Sequence, residues 1–310
     1  MSKKIAIIIL NWNGSEDTIE CLKSIKRNNF KNYKIFLIDN GSNDDSIKKL
    51  KQIKNRKIEF ISNKNNLGFA LGNNLGIKKA LGSGFEYFMI LNNDTVVDKD
   101  FLLKLLNTML SDDKIGVVSP MVFNYYDKNV LGETDSPGKF NLKKGGGEPW
   151  DRDLQQIKLR KAPFCVDYTS ASCWLVRSDM VKKSGFFNEK FFAYGEEIEL
   201  ALRIKKSGYK FFINPAAKIW HKGAASSGRV SGFKAYYSTR NMIWLERIHA
   251  TNREFFVFIM NLFFIKNIKN IYISLRQSNK LTVLKKYFRG LIDGLFTRAI
   301  KFNDSKYYKI

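Results

Sequence analysis

Histidine occurs twice in these 310 residues, cysteine three times and proline five times. The cysteines, Cys21, Cys165 and Cys173, have neither the pairing of a disulfide framework nor zinc-ligand spacing, which fits a reducing, cytosolic setting. Long apolar runs are also missing. The longest late one, "FFVFIMNLFFI" from Phe255, falls short of the ~20 residues a spanning helix needs, so no transmembrane segment is expected. The N-terminal "MSKKIAIIILNWNG" turns polar too quickly for a signal peptide and reads as a first strand. Acids are scarce: 29 Asp and Glu against 53 Lys and Arg leave +24, which points to an anionic partner such as nucleic acid, a phosphorylated small molecule or an acidic membrane surface. Neither a Gly-any-Gly-any-any-Gly turn after the first strand nor a Gly-Lys-Ser/Thr phosphate loop is present, which argues against a dinucleotide-binding oxidoreductase and a P-loop enzyme.

What is present is an alternation of periods. Apolar runs at 5–10, 35–38, 58–61, 87–91 and 115–118 are separated by helix-like spacing, as at Ile19, Leu22 and Ile25. Strands buried on both faces between helices predict an α/β, doubly wound, mostly parallel sheet, which binds ligands outside the carboxyl ends of its strands. Those ends are polar in four consecutive cases: Asn11-Trp12-Asn13-Gly14, Asp39-Asn40-Gly41-Ser42, "SNKNNLGF" around Asn66 and Gly68, and Asn92-Asn93-Asp94. Any one is an ordinary turn, but the set favours a polar ligand site.

Between 123 and 165 the pattern breaks into Gly-, Lys- and Asp-rich sequence, including "KKGGGEPWD", expected to be a surface insertion or substrate lid. Strand character returns over 166–176, a helix is predicted over 196–206, and short strands over 209–213 and 218–220. In the tail, Leu281, Leu284, Phe288, Leu291 and Leu295 fall at helical spacing among basic residues. Two readings stand, a membrane-surface amphipathic helix or a helix packed on the body with a solvated basic face. Gly290 and Gly294 would weaken it as a free helix.

Candidate chemistry gathers at three places. Asp94, at a strand end, is a hard oxygen ligand suited to magnesium or manganese shared with diphosphate oxygens. His221 emerges from a short strand where it could meet metal or phosphate. Glu196 and Glu197 open a helix behind the aromatic approach Phe191, Phe192 and Tyr194, and a partly desolvated carboxylate there can serve as a general base.

The segments "IIILNWNG", "FLIDNGSNDDS", "NKNNLGFALGNNLGI", "MILNNDTVVD", "GFFNEKFFAYGEEIELALRIKKSGYK", "WHKGAASSG" and "YYSTRN" run in order from residue 7 to 241. Together they resemble the family 2 inverting glycosyltransferases of the GT-A fold, in the rhamnosyltransferase-like branch. The resemblance implies a catalytic domain over 1–225, nucleotide-binding to about 120, and a basic helical extension over 226–310. It implies that Asn11 and Asp39 hold the nucleotide, that Asn66 and Gly68 let the third loop approach it, and that Asn92 and Asn93 lie on the donor. Asp94 would carry a Mg2+ or Mn2+ ion, helped by His221, and Arg240 would neutralise the leaving group. Glu197 would be the base, with Glu196 the alternative. Asn92 stands where the wider family has a first acid, and a Glu where it more often has Asp.

The implied partners are a dTDP- or UDP-linked sugar, rhamnose first, and a glycan or polyprenyl-diphosphate-linked acceptor, with peripheral contact to an anionic membrane. The lack of Gln-any-any-Arg-Trp argues against a processive synthase. A sugar-nucleotide nucleotidyltransferase would need a Gly-rich loop after the first strand. A nucleic-acid-binding module would need more than charge, and no nucleic-acid motif accompanies it.

Overall fold

A computed structural model describes residues 3–132, 137–149, 157–223, 231–277 and 279–297. Along the chain, β1 (Ile5–Asn11), α1 (Ser15–Lys26), β2 (Tyr33–Asp39), α2 (Ser46–Lys51), β3 (Ile58–Ser62), α3 (Gly68–Gly82) and β4 (Tyr87–Asn92) alternate as the periodicity predicts. There follow β5 (Thr95–Val97), α4 (Phe101–Leu110), β6 (Ile115–Asn124), the hairpin β7 (Gly138–Asn141) and β8 (Gly146–Pro149), β9 (Phe164–Val166), β10 (Cys173–Arg177), α5 (Ser178–Ser184), α6 (Glu196–Lys206) and β11 (Lys210–His221). Three helices complete the described chain: α7 (Phe233–His249), α8 (Asn252–Leu275, with a π-turn at Leu262–Lys266) and α9 (Lys280–Phe296).

The main sheet has the order β3-β2-β1-β4-β10-β6-β11-β5, with β9 also on β11. Its first four strands are mutually parallel, as are β6 and β11, while β10 runs antiparallel between β4 and β6. β1 shows why the sheet forms. Ala6 and Ile8 face α3, α5 and α6, while Ile5, Ile7 and Ile9 face α1 and α4, all of them excluded from solvent. Each buried Ile is worth roughly 1.5–3 kcal/mol, against under about 1 kcal/mol for an exposed ion pair such as Lys3–Glu86, so apolar burial anchors the strand.

Three local expectations change. The run 166–176 splits into β9 and β10 because the polar stretch from Asp167 to Ser172 leaves the sheet. The two short strands at 209–220 are one, since a bulge between Asn214 and Lys218 accommodates Pro215 within a continuous pairing to β6. Within the insertion, the 138–149 hairpin packs Phe140 on the cluster of Phe191, Leu202, Trp244 and Leu245. Residues 133–136, 150–156, 224–230, 278 and 298–310 lie outside the described residues, and with them the end of "KKGGGEPWD", most of "GAASSG" and the last basic residues of the tail.

The late apolar segment is also longer than its uninterrupted run suggests. Lys266, Asn267, Lys269 and Asn270 break the run but not the helix, and α8 spans 24 residues, long and apolar enough to cross a membrane by length and composition. Thr251 opens it with a capping box, accepting from Glu254 N (3.3 Å) while Glu254 Oε2 accepts from Thr251 N (3.0 Å).

The glycines expected to weaken α9 form its packing seam instead. Tyr287, Gly290, Leu291 and Gly294 face α7, while Leu281 and Phe288 of the anticipated stripe stay exposed. A Cβ at Gly290 would sit 2.6 Å from the carbonyl oxygen of Tyr236, and one at Gly294 2.8 Å from Ile243 Cδ1. In a free helix Gly→Ala would stabilise by up to about 1 kcal/mol. Here Gly290→Ala meets backbone and the sign reverses: the melting temperature falls, whereas a rise would show that α9 is not seated on α7 as described.

Candidate active site

The polar ends of β1, β2 and β4 interlock. Asn11 Nδ2 donates to Asp39 Oδ2 (2.8 Å) and Ser42 Oγ (3.2 Å), and Asn11 Oδ1 accepts from Thr18 Oγ1 (2.8 Å). Asp39 also accepts from Ser42 N (3.0 Å) and Ser42 Oγ (2.6 Å). Asn93 Nδ2 joins them through Thr18 Oγ1 (3.0 Å) and the Gly14 carbonyl (3.3 Å). Both Asn11 and Asp39 are fully buried, so a ligand reaching Asp39 must replace one of these donors. Asn40, not singled out in the sequence, ties β2 to the third loop: its Nδ2 donates to Asn66 Oδ1 (3.0 Å) and Gly68 O (3.1 Å), while its Oδ1 accepts from Leu67 N (3.2 Å).

Asp94 follows β4 in the tight turn to β5, and His221 ends β11, which pairs with β5 at Thr95. His221 Nε2 lies 3.1 Å from Asp94 Oδ1 and 3.3 Å from Asn92 Nδ2, so three expected residues meet. Lys222 N donates to Asp94 O (3.0 Å), and its ammonium bridges Asp17 (2.7 Å) and Glu20 (2.6 Å) on α1. Burial opposes the Lys222 charge, but the two carboxylates outweigh it and raise its pKa, pinning the segment after His221. An Asp and an imidazole side by side on a strand-end edge suit a divalent cation completed by diphosphate oxygens. No cluster of three His, Cys, Asp or Glu that could hold a metal occurs among the described residues.

The acidic pair sits on a strained turn. Phe192 (φ 65), Tyr194 (φ 66) and Gly195 (φ 86) are all in the left-handed region just before α6, which for the first two costs about 1–3 kcal/mol each. Four devices hold the turn. The Phe192 carbonyl accepts from Phe69 N (2.6 Å) and Ala70 N (3.3 Å), where Gly68 comes so close that a Cβ would lie 2.6 Å from that oxygen. Asn74 Nδ2 donates to Phe187 O (2.9 Å). Asn241 Nδ2 is placed within reach of three carbonyls, those of Phe191 (2.9 Å), Ala193 (2.8 Å) and Tyr194 (2.7 Å). Arg240 Nη2 donates to Lys190 O and Phe191 O, both at 3.0 Å, with its guanidinium 4.2 Å from the Trp244 ring. The leaving-group role expected for Arg240 would fall to its remaining N–H groups, since Nη2 is engaged here. Asn241 was missed because an Asn reaching distant backbone leaves no periodic trace.

Glu196 and Glu197 differ sharply. Glu196 is buried with Oε2 unpaired among the described residues; burial, then the neighbouring Glu197, pushes its pKa well above the usual carboxylate range. Glu197 Oε2 accepts from Gly195 N (3.1 Å). Tyr168 lies near it, and burial followed by the Glu197 charge pushes that phenol up to about 12. Further along α6, burial opposes ionisation of Glu199, yet Arg203 (2.6 Å) and His249 (3.1 Å) overcome it and hold the carboxyl down to about 2. That pair is structural.

Comparisons with known proteins bear on the family and the fold. The chain is 31% identical over 176 residues to an uncharacterized protein of Mycobacterium tuberculosis, matching 56% of this chain and 60% of that protein. The match thus spans less than two thirds of that relative. It is 24% identical to a dTDP-rhamnosyl transferase, RfbF, of Shigella flexneri, over 95% of this chain and 96% of that one. A crystal structure of GalNAc-T7 with UDP, GalNAc and Mn2+ superposes with a TM-score of 0.66 at 14% identity, covering 96% of this chain and 56% of that one, and so shares the GT-A fold. The family model for glycosyl transferase family 2 matches residues 6–185, and the chain belongs to that family.

Proposed function

We propose that the chain transfers a sugar from a nucleoside-diphosphate donor to an acceptor hydroxyl with inversion at the anomeric carbon. The carrying observation is the junction of Phe192 with Phe69 and Ala70: it fastens the turn bearing the acidic pair to the loop that closes the donor crevice. Glu197 takes the acceptor's proton as the acceptor oxygen bonds to the anomeric carbon, and the diphosphate departs with the electron pair of the broken bond. Burial raises the Glu196 pKa well above the usual carboxylate range, which favours Glu197 as the base in this reading. Asp94 and His221 would hold a Mg2+ or Mn2+ ion, which supplies neutralising charge for the diphosphate. Arg240 and Asn241 position the turn.

We take dTDP-rhamnose as the leading donor and a polyprenyl-diphosphate-linked glycan as the acceptor class, in cell-surface polysaccharide assembly; the similarity to the Shigella dTDP-rhamnosyl transferase over nearly the whole chain supports the donor. UDP-sugars are the other donors to test. Residues 1–225 form the catalytic unit in this reading and 226–310 its basic extension, which meets an anionic bilayer from the cytosolic side. Phe256, Phe263, Phe264, Ile265 and Ile268 support that contact, each at least half exposed on one helix, with Lys269 and Arg276 following. The middle of α8 is fastened to the hairpin, Asn261 to Lys143 O (3.2 Å) and Lys266 to Lys144 O, which favours a helix lying along the membrane over one crossing it.

The variants that test the chemistry are Glu197→Gln and Asp94→Ala, assayed for sugar transfer and thermal unfolding. Each should lower turnover by about a hundred-fold or more while leaving unfolding nearly unchanged. Glu196→Gln should keep most activity, and the opposite ranking of the two Gln variants would move the base to Glu196. Asn241→Ala should lose both activity and stability, by about 2–3 kcal/mol, since buried carbonyls go unpaired. For the membrane contact, full-length protein should co-sediment with vesicles rich in anionic lipid and less with neutral ones, and Phe264→Ser with Ile268→Ser should release it. Equal recovery with and without vesicles would contradict the contact.

A further inference from the structure

A cleft of about 550 Å³ lies between the sheet edge and described residues of the insertion, and neither Glu196 nor Glu197 is among the described residues that line it. That volume is within the ~300–1,000 Å³ range of small-molecule sites. Five cations line it, Lys128, Lys158, Arg160, Lys161 and Lys218, and among the described residues no carboxylate does. Among the described residues none of the five makes a salt bridge. They are nonetheless organised. Lys158 Nζ donates to Asn129 O (2.6 Å), joining two walls of the cleft, Arg160 lies 4.6 Å from the Phe164 ring, and Lys218 Nζ 5.8 Å from the Phe123 ring.

The floor is apolar, formed by Met121, Phe123 and Trp220. Trp220 Nε1 is buried without a partner among the described residues, an unspent donor on a residue of the cleft wall. Leu159, 69% exposed, stands between two of the cations in sequence. A cluster of positive charge over aromatic and apolar surface is complementary to a ligand that is anionic at one end and apolar at the other.

Its position gives it a use. Trp220 precedes His221 in β11, and Phe123 pairs with Trp220 as Asn124 pairs with His221. Successive strand residues point to opposite faces, so the cleft and His221 occupy opposite faces of the same strand ends. Phe123 and Trp220 pack on the cluster that also contains Leu200 and Ala201 of α6, the helix that begins with the acidic pair. We infer that this cleft is a second anion site, taking a phosphate or diphosphate joined to an apolar chain, and that it seats the charged end of the acceptor. The acceptor role rests on the transferase reading; the binding does not.

Calorimetry on the full chain tests it with three probes: inorganic pyrophosphate, farnesyl diphosphate and farnesol. Farnesyl diphosphate should bind roughly ten-fold tighter than either half alone, and Lys128→Ala with Lys161→Ala should weaken it by about ten-fold. Both lysines are exposed, so the variant should fold, and its binding of UDP or dTDP with Mn2+ serves as the control. Unchanged farnesyl diphosphate affinity in the variant, displacement of farnesyl diphosphate by UDP with Mn2+, or no binding would each overturn the site. Pyrophosphate binding as tight as farnesyl diphosphate would identify a free anion as the ligand and overturn the apolar half. Should neither nucleotide bind while farnesyl diphosphate does, the transferase reading fails and the anion site stands.

Discussion

The carbonyl oxygen of Phe192 accepts hydrogen bonds from Phe69 and Ala70, and the two halves of the candidate site depend on that junction. On one side is the loop after β3, which Asn40 and Asn66 hold open around Gly68. On the other is the left-handed turn that delivers Glu196 and Glu197 to the first turn of α6. A side chain at residue 68 would collide with Phe192, and Gly68 itself adopts φ +78. The strand-end edge and the acidic pair are therefore joined through one stretch of backbone.

Holding that turn costs strain, and the structure offsets it from outside the first 225 residues. Asn241 and Arg240, both on α7, take up the carbonyls that the left-handed residues turn away from regular pairing. Phe192 stacks on Tyr237 (5.1 Å between centroids) and Phe191 packs edge-on against Trp244 (6.1 Å), so the aromatic approach to the acidic pair is also a docking surface for α7. α7 in turn rests on α9 through Gly290 and Gly294. The basic tail thus supports the turn that precedes the acidic pair, while α8 presents an apolar outer face.

Much of this architecture was legible in the sequence. The five early apolar runs became strands because burial on both faces demands unbroken apolar residues, and Asn11, Asp39, Asn93 and Asp94 came together because parallel strands deliver their polar ends to one edge. Pairing of Asp94 with His221 needed the register of β5 on β11, which no local pattern encodes. The bulge that merges two short strands and the carbonyl-gathering role of Asn241 were hidden for the same reason: each depends on backbone far away in the chain. The cleft cations, scattered from 128 to 218, look like solvated charge until the fold assembles them. α8 was underestimated because a few polar residues interrupt an apolar run without interrupting a helix.

The most direct measurement of the central claim, that the strand-end edge binds a nucleoside diphosphate with a divalent ion, is the thermal unfolding of the full chain with dTDP and with UDP, each in Mn2+ and in excess chelator. Ligand bound only to the native state raises its stability, by about 2.7 kcal/mol at a hundred times the Kd. The account predicts a rise in melting temperature with at least one nucleotide that disappears in chelator. No rise with either nucleotide, in metal at millimolar ligand, would contradict it.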